Sequence, residues 1–144
     1  MVRPRQPLGP ARCTRELNHI YLDTPAFWNN DLGWAGFTWC DPNDAERSML
    51  TFLRWDTQGR GYLVVCNFCP VLREDVRVGL PMACRLNPIL NTDEARFGGS
   101  GVELKNLRSE PVSENGFDHS VSLVSPPMSP EPGRSRHPRH CPER

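Results

Sequence analysis

Ser48-Met49-Leu50-Thr51-Phe52-Leu53-Arg54-Trp55, then Gln58-Gly59-Arg60-Gly61, then Tyr62-Leu63-Val64-Val65-Cys66-Asn67-Phe68 decides the fold. The first run carries Met49, Leu50, Phe52 and Leu53 and is apolar enough for a buried strand. The Gly-containing tetrapeptide supplies a hairpin turn, because glycine adopts the positive φ that tight turns demand. The run built on Tyr62, Val64 and Val65 answers as the partner strand.

Outward from this hairpin the same grammar repeats. Phe37 and Trp39 alternate with small or polar neighbours, and Ser120-Val121-Ser122-Leu123 alternates polar with apolar. Residues 75–80, 85–90, 104–110 and 120–125 read as further strands, with turn clusters at Asn91-Thr92-Asp93 and Gly98-Gly99-Ser100-Gly101. About seven short strands with a turn every 8 to 12 residues predict an all-β fold, an antiparallel β-sandwich of Greek-key type. Thr14–Asp23 reads as a short N-terminal helix, with Leu17, Ile20 and Tyr21 on one face. Thr24-Pro25 ends it, since the residue before proline avoids the helical region. About three turns cannot bury that stripe alone, so the helix must pack on something.

The 144 residues allow one domain and little more. The expected division is a disordered lead-in over 1–13, helix and linker over 14–27, the sandwich over 28–127, and a disordered tail over 128–144. From Pro126 onward there are six Pro and four Arg with almost no large apolar side chain. Such a composition cannot bury enough surface to offset its ordering entropy. Seventeen basic residues balance seventeen acidic ones, so no basic excess points to nucleic acid. Arg134, Arg136, His137, Arg139 and His140 are read as a solvated end. No apolar run approaches the roughly 18 residues of a membrane span. The N-terminus lacks the apolar centre of a secretory signal, and the expected location is the cytoplasm.

Two local patterns invite a metal, and both have a plainer reading. Cys66-Asn67-Phe68-Cys69 is a CxxC, but structural zinc needs four ligands and no second pair follows. With Cys13, Cys40, Cys84 and Cys141, these are read as ordinary thiols without a disulfide framework. Asp41-Pro42-Asn43-Asp44 lacks the further ligands of a calcium loop and reads as an Asx-type turn into the next strand. No metal or cofactor is expected.

A family resemblance runs through these same residues. Gly36-Phe37-Thr38-Trp39-Cys40-Asp41-Pro42-Asn43-Asp44 resembles the GF-x-W-x-D-x-ND entry to the C-terminal domain of bacterial glycogen branching enzymes. Ser48–Arg54 is similar to that family's SVLSFLR, and Val64–Val71 to its VVVCNFTPV. Gly79-Leu80-Pro81, Ile89–Asp93, Phe97–Gly101 and His119–Leu123 with Pro126-Pro127 look like its later turns and closing strand. Arg15–Tyr21 resembles RDLNRLY, the last helix of the family's catalytic barrel. The match covers roughly residues 14 to 127, in order. Cys69 departs from it by standing where the family has Thr. The tail departs too, breaking off where the family's last strand continues, as a truncated or frameshifted coding sequence would.

The resemblance implies the α-amylase superfamily and a retaining mechanism on a (β/α)8 barrel. That mechanism needs an Asp nucleophile and a Glu acid/base about 5 to 5.5 Å apart. The family carries both in motifs upstream of the matched region, so no catalytic residue is assigned here. The chain is read as a detached C-terminal domain that braces the barrel and is inactive alone. Its partner would be that barrel, with Trp28, Trp34, Phe37 and Trp39 as candidates for the barrel interface or for contact with an α-glucan such as glycogen. The plainer role for these four rings is packing between domains. The rivals are a stand-alone glucan-binding module, a small zinc protein on Cys66 and Cys69, and a gene remnant without function.

Overall fold

The computed structural model describes residues 8–127. The expectations for 1–7, for the 128–144 tail and for Cys141 fall outside the described residues. One helix, α1 (Leu8–Asp23), is followed by a 3₁₀ turn at Pro25–Phe27 and another at Trp34–Gly36. Then come β1 (Phe37–Asp41), β2 (Met49–Trp55), β3 (Gly61–Asn67) and β4 (Arg73–Leu80). A third 3₁₀ turn at Ala95–Phe97 precedes β5 (His119–Ser125). The strands form two antiparallel sheets, β1-β2-β3 and β4-β5.

The hairpin forms where the residues place it. β2 and β3 pair without a slip from Met49↔Asn67 to Trp55↔Gly61. Gly59 takes the left-handed φ of 79° that the turn requires. The buried Asp56 carboxylate accepts from the backbone N–H groups of Gln58 and Arg60, both at 2.9 Å, and pairs with the Arg60 guanidinium at 2.6 Å. Gly61 is needed for space as well, because a Cβ there would lie 2.6 Å from the Trp55 ring.

Because successive strand residues point to opposite faces, β2 splits cleanly. Met49, Thr51 and Leu53 are buried, and Leu50, Phe52 and Arg54 lie half-exposed on the other side. Met49 and Leu53 join Cys40 from β1, Val76, Val78 and Leu80 from β4, and Val121 and Leu123 from β5 in one core between the sheets. The segment 110–117, between β4 and β5, runs along the β5 edge and crosses the outer side of β4 at Gly79. Glu110 bridges Ser120, Arg77 bonds the Glu110 carboxylate at 2.9 Å and the Ser120 hydroxyl at 3.0 Å, and a Cβ on Gly79 would lie 2.3 Å from the Glu114 carbonyl oxygen.

Three expectations need correction. The helix begins at Leu8, inside the segment read as an unstructured lead-in. Gly9 and Pro10 look like helix breakers, but proline is tolerated in a first turn, where its missing N–H has no intrahelical partner anyway. Segments 85–90 and 104–110 are not strands. They share one bridge, Arg85↔Arg108, and the bonds Leu86 N–H to Leu107 O and Ser109 N–H to Cys84 O. Asn106, at a left-handed φ of 55°, breaks the pleat of the second segment, and Pro88 interrupts the first. Finally, Cys69 is disulfide-bonded rather than an ordinary thiol, whereas Cys66 remains free.

Candidate functional site

The outer face of β1-β2-β3 carries a row of aromatic and aliphatic side chains. The open face of an antiparallel sheet is normally polar where it meets water. Here the strand registers set Phe37 beside Arg54, Trp39 beside Phe52, Phe52 beside Val64, and Leu50 beside Cys66. All of these positions are half-buried or exposed. Phe37 and Trp39 meet edge to face with centroids 4.8 Å apart, and Phe52 stacks on Phe37 at 5.1 Å and meets Trp39 edge-on at 6.1 Å. Such pairings contribute about 0.5–1.5 kcal/mol each beyond the area they bury. The Arg54 guanidinium sits 5.8 Å from the Phe37 centroid, donates to the Ala26 carbonyl at 3.1 Å, and ion-pairs with Asp31.

One end of this face is already covered. Phe27, in the turn after α1, packs its ring on Tyr62 at 6.0 Å and on Tyr21 of α1 at 6.5 Å. The Trp28 indole N–H donates to the Tyr21 carbonyl at 3.1 Å, satisfying an acceptor left over at the helix C-terminus. Beyond Tyr62, Trp39 is exposed while Phe37, Phe52 and Val64 are half-buried, with no strand laid over them among the described residues.

The structure therefore divides the four aromatic candidates. Phe37 and Trp39 stand together on the sheet, joined by Phe52. Trp28 caps α1, and Trp34, 87% exposed, lies in the 3₁₀ turn before β1. Among the described residues no ring contact ties Trp28 or Trp34 to the sheet cluster. Phe52 was not among the sequence candidates, although its alternation with Leu53 carried the signal that it faces away from the core.

The stripe expected on α1 is likewise rearranged. Gly9, Cys13, Glu16 and Ile20, spaced i, i+4, i+7 and i+11, face the body of the protein. Leu17 and Tyr21 are 47% and 50% exposed. They lie on the outer side of the helix instead of packing beneath it, with Tyr21 against Phe27.

Cys40, Cys66 and Cys84 are not activated thiols. Burial, reinforced by Asp41, pushes the Cys40 thiol up to about 11, and burial also raises Cys66 and Cys84, the reverse of what a nucleophilic or metal-binding thiolate requires. Asn43 N–H donates to Asp41 Oδ1 at 3.0 Å, the Asx-type turn anticipated there. Arg47 engages Asp44 at 2.8 Å, so that carboxylate is already committed to a cation. Among the described residues no group of three His, Cys, Asp or Glu side chains could hold a metal ion. No described helix is long and apolar enough to cross a membrane.

Residues 39–130 match the family model of the alpha amylase C-terminal all-beta domain. The chain belongs to this family. The match begins at Trp39, in the middle of the aromatic face. The relatives of this chain are much larger proteins. A 1,4-alpha-glucan branching enzyme of Frankia casuarinae is 39% identical over 124 residues, covering 83% of this chain and 15% of the relative. That of Rhodospirillum rubrum is 38% identical over 122 residues, covering 84% and 16%. That of Francisella philomiragia is 38% identical over 117 residues, covering 80% and 18%. The chain thus spans less than a fifth of the length of these relatives.

Proposed function

We propose that this chain is the C-terminal domain of a 1,4-α-glucan branching enzyme and acts as a structural brace for its catalytic barrel. The observation that carries this reading is the open apolar face of β1-β2-β3, with Phe37, Trp39, Phe52 and Val64 arrayed on a sheet whose other side is already packed. A surface of that kind marks an interaction site. Its aromatic content suits a protein partner. Leu17 and Tyr21, exposed on α1, belong to the segment that itself resembles a barrel helix. In this reading the nucleophile and the acid/base of the transfer reaction belong to the barrel.

The test is reconstitution. A branching-enzyme barrel lacking its own C-terminal domain is mixed with this chain, and co-elution and branching of an α-1,4 glucan are measured. The expected result is capture and restored branching, lost with Phe52→Asp, while the chain alone remains inactive. Branching by the chain alone, or capture indifferent to Phe52→Asp, would overturn the reading.

A second reading, direct glucan contact, is favoured by the 87% exposure of Trp34 alone. Retardation of the chain in a glycogen-containing native gel, lost with Trp34→Ala, would support it.

A further inference from the structure

The start of α1 is seated on the loop 91–102, and this loop is shaped from within. A Cβ placed on Gly9 would lie 2.2 Å from the Phe97 carbonyl oxygen and 2.6 Å from its carbon, so helix and loop backbones meet directly. Cys13 and Glu16, on the same stripe, face Arg96. The Arg96 guanidinium is held in place by the Glu94 carboxylate at 2.7 Å and lies over the Phe97 ring at 4.4 Å. The Phe97 ring itself is buried.

What gives the loop this form is Asp93, which is 2% exposed. Its carboxylate accepts from Ser100 N–H at 3.0 Å, the Ser100 hydroxyl at 2.7 Å and Val102 N–H at 3.0 Å. Its carbonyl accepts from Gly101 N–H at 2.7 Å. The close return of the chain also excludes a side chain at Gly99, where a Cβ would lie 2.1 Å from the Asp93 carbonyl oxygen. The loop is therefore a small rigid body closed around one buried charge, and its outer surface is the backbone of Phe97 and Gly98 against which Gly9 rests.

We propose that loop 91–102 is a latch that holds α1 in register on the β-domain, with Asp93 and Gly99 as positioning residues that act by shaping the loop. Taking α1 as the last barrel helix, which rests on the reading above, the latch sets the angle at which the barrel meets the aromatic face. It makes a rigid two-point attachment with the Trp28 cap at the other end of α1.

Amide hydrogen exchange of the full chain, resolved by peptide, tests this for Gly9→Ala and Gly99→Ala. On propensity alone, Gly9→Ala should slow exchange in α1 by about fivefold, since alanine is favoured over glycine in a helix by about 1 kcal/mol. The latch predicts the opposite sign, with faster exchange over residues 10–20 in both variants and unchanged protection in the β2–β3 hairpin. Slower or unchanged α1 exchange in Gly9→Ala overturns the proposal. So does a Gly99→Ala chain whose loop exchanges faster while α1 does not. Should Gly99→Ala fail to fold, the alkylation rate of the half-buried free thiol of Cys13 decides, and it must rise in Gly9→Ala relative to the parent. No barrel enters these measurements. Failure of the latch therefore leaves the brace reading standing, and failed barrel capture leaves the latch standing.

Discussion

Replacing Asp93 by Asn should cost far more than its near-identical shape suggests. Oδ1 receives the Ser100 N–H and Oδ2 receives both the Ser100 hydroxyl and the Val102 N–H. Whichever way an amide is turned, its NH2 group then faces a backbone N–H about 3 Å away, and one buried donor loses its acceptor. Hydrogen bonds to a charged acceptor are worth about 1.5–3 kcal/mol each, and an unsatisfied buried donor costs about 1–3 kcal/mol. Losing the charge and one acceptor together should therefore destabilise the chain by about 3 kcal/mol. For a domain of this size that is roughly a 12 °C fall in Tm, taking about 4 °C per kcal/mol. Urea unfolding followed by tryptophan fluorescence, with a thermal scan by circular dichroism, measures both quantities.

The pH dependence gives a second arm to the same experiment. Burial pushes the Asp93 carboxyl upward, but the bonds from Val102, Ser100 and Gly101 outweigh it and hold its pKa below the usual carboxylate range. A depressed folded-state pKa means that the stabilisation is fully present above the unfolded value, near 3.9. It is lost as pH falls through the lower folded value. The gap between parent and Asp93→Asn should be constant from pH 7 to about 5 and shrink below about pH 4. A Tm change under about 2 °C at pH 7, or a gap that persists undiminished in acid, would refute the account of the loop.

Other outcomes follow from the same structure. Leu53→Ala removes a side chain that is 3% exposed at the centre of the core and should cost about 2–5 kcal/mol, read as a lower urea midpoint. Gly59→Ala meets no atom within 4 Å, yet its φ of 79° should make it destabilising by about 1–2 kcal/mol, a purely conformational effect visible in the same unfolding curves. Trp39→Asp places a charge on the open aromatic face and should reduce self-association of the isolated chain in sedimentation velocity, since an exposed apolar patch promotes it. Trp34→Ala should leave stability within about 0.5 kcal/mol, because a side chain 87% exposed packs against little.

The sequence by itself determined whatever depends on near neighbours. The β2–β3 hairpin, its glycine turn, the Asx turn at Asp41 and the alternation of β5 were all legible, because each is fixed by period-2 patterning or by a side chain bonding two residues along. Resemblance added the family, and with it the expectation of a domain without catalytic groups. Tertiary structure decided the rest. Residues 85–90 and 104–110 have the composition of strands but fail to build a ladder, because Asn106 turns left-handed and leaves a single bridge between them. The first turns of α1 read as a lead-in, since Gly9 and Pro10 are poor helix formers. They are helical because Gly9 is the residue that lets a helix rest on the Phe97 backbone, a contact 88 residues away that no local pattern announces. The aromatic face likewise needed the register of three strands before Phe37, Trp39 and Phe52 became one surface. Propensity and periodicity act over a few residues, whereas the close approach of two backbones and the alignment of three strands are settled only when the chain has folded.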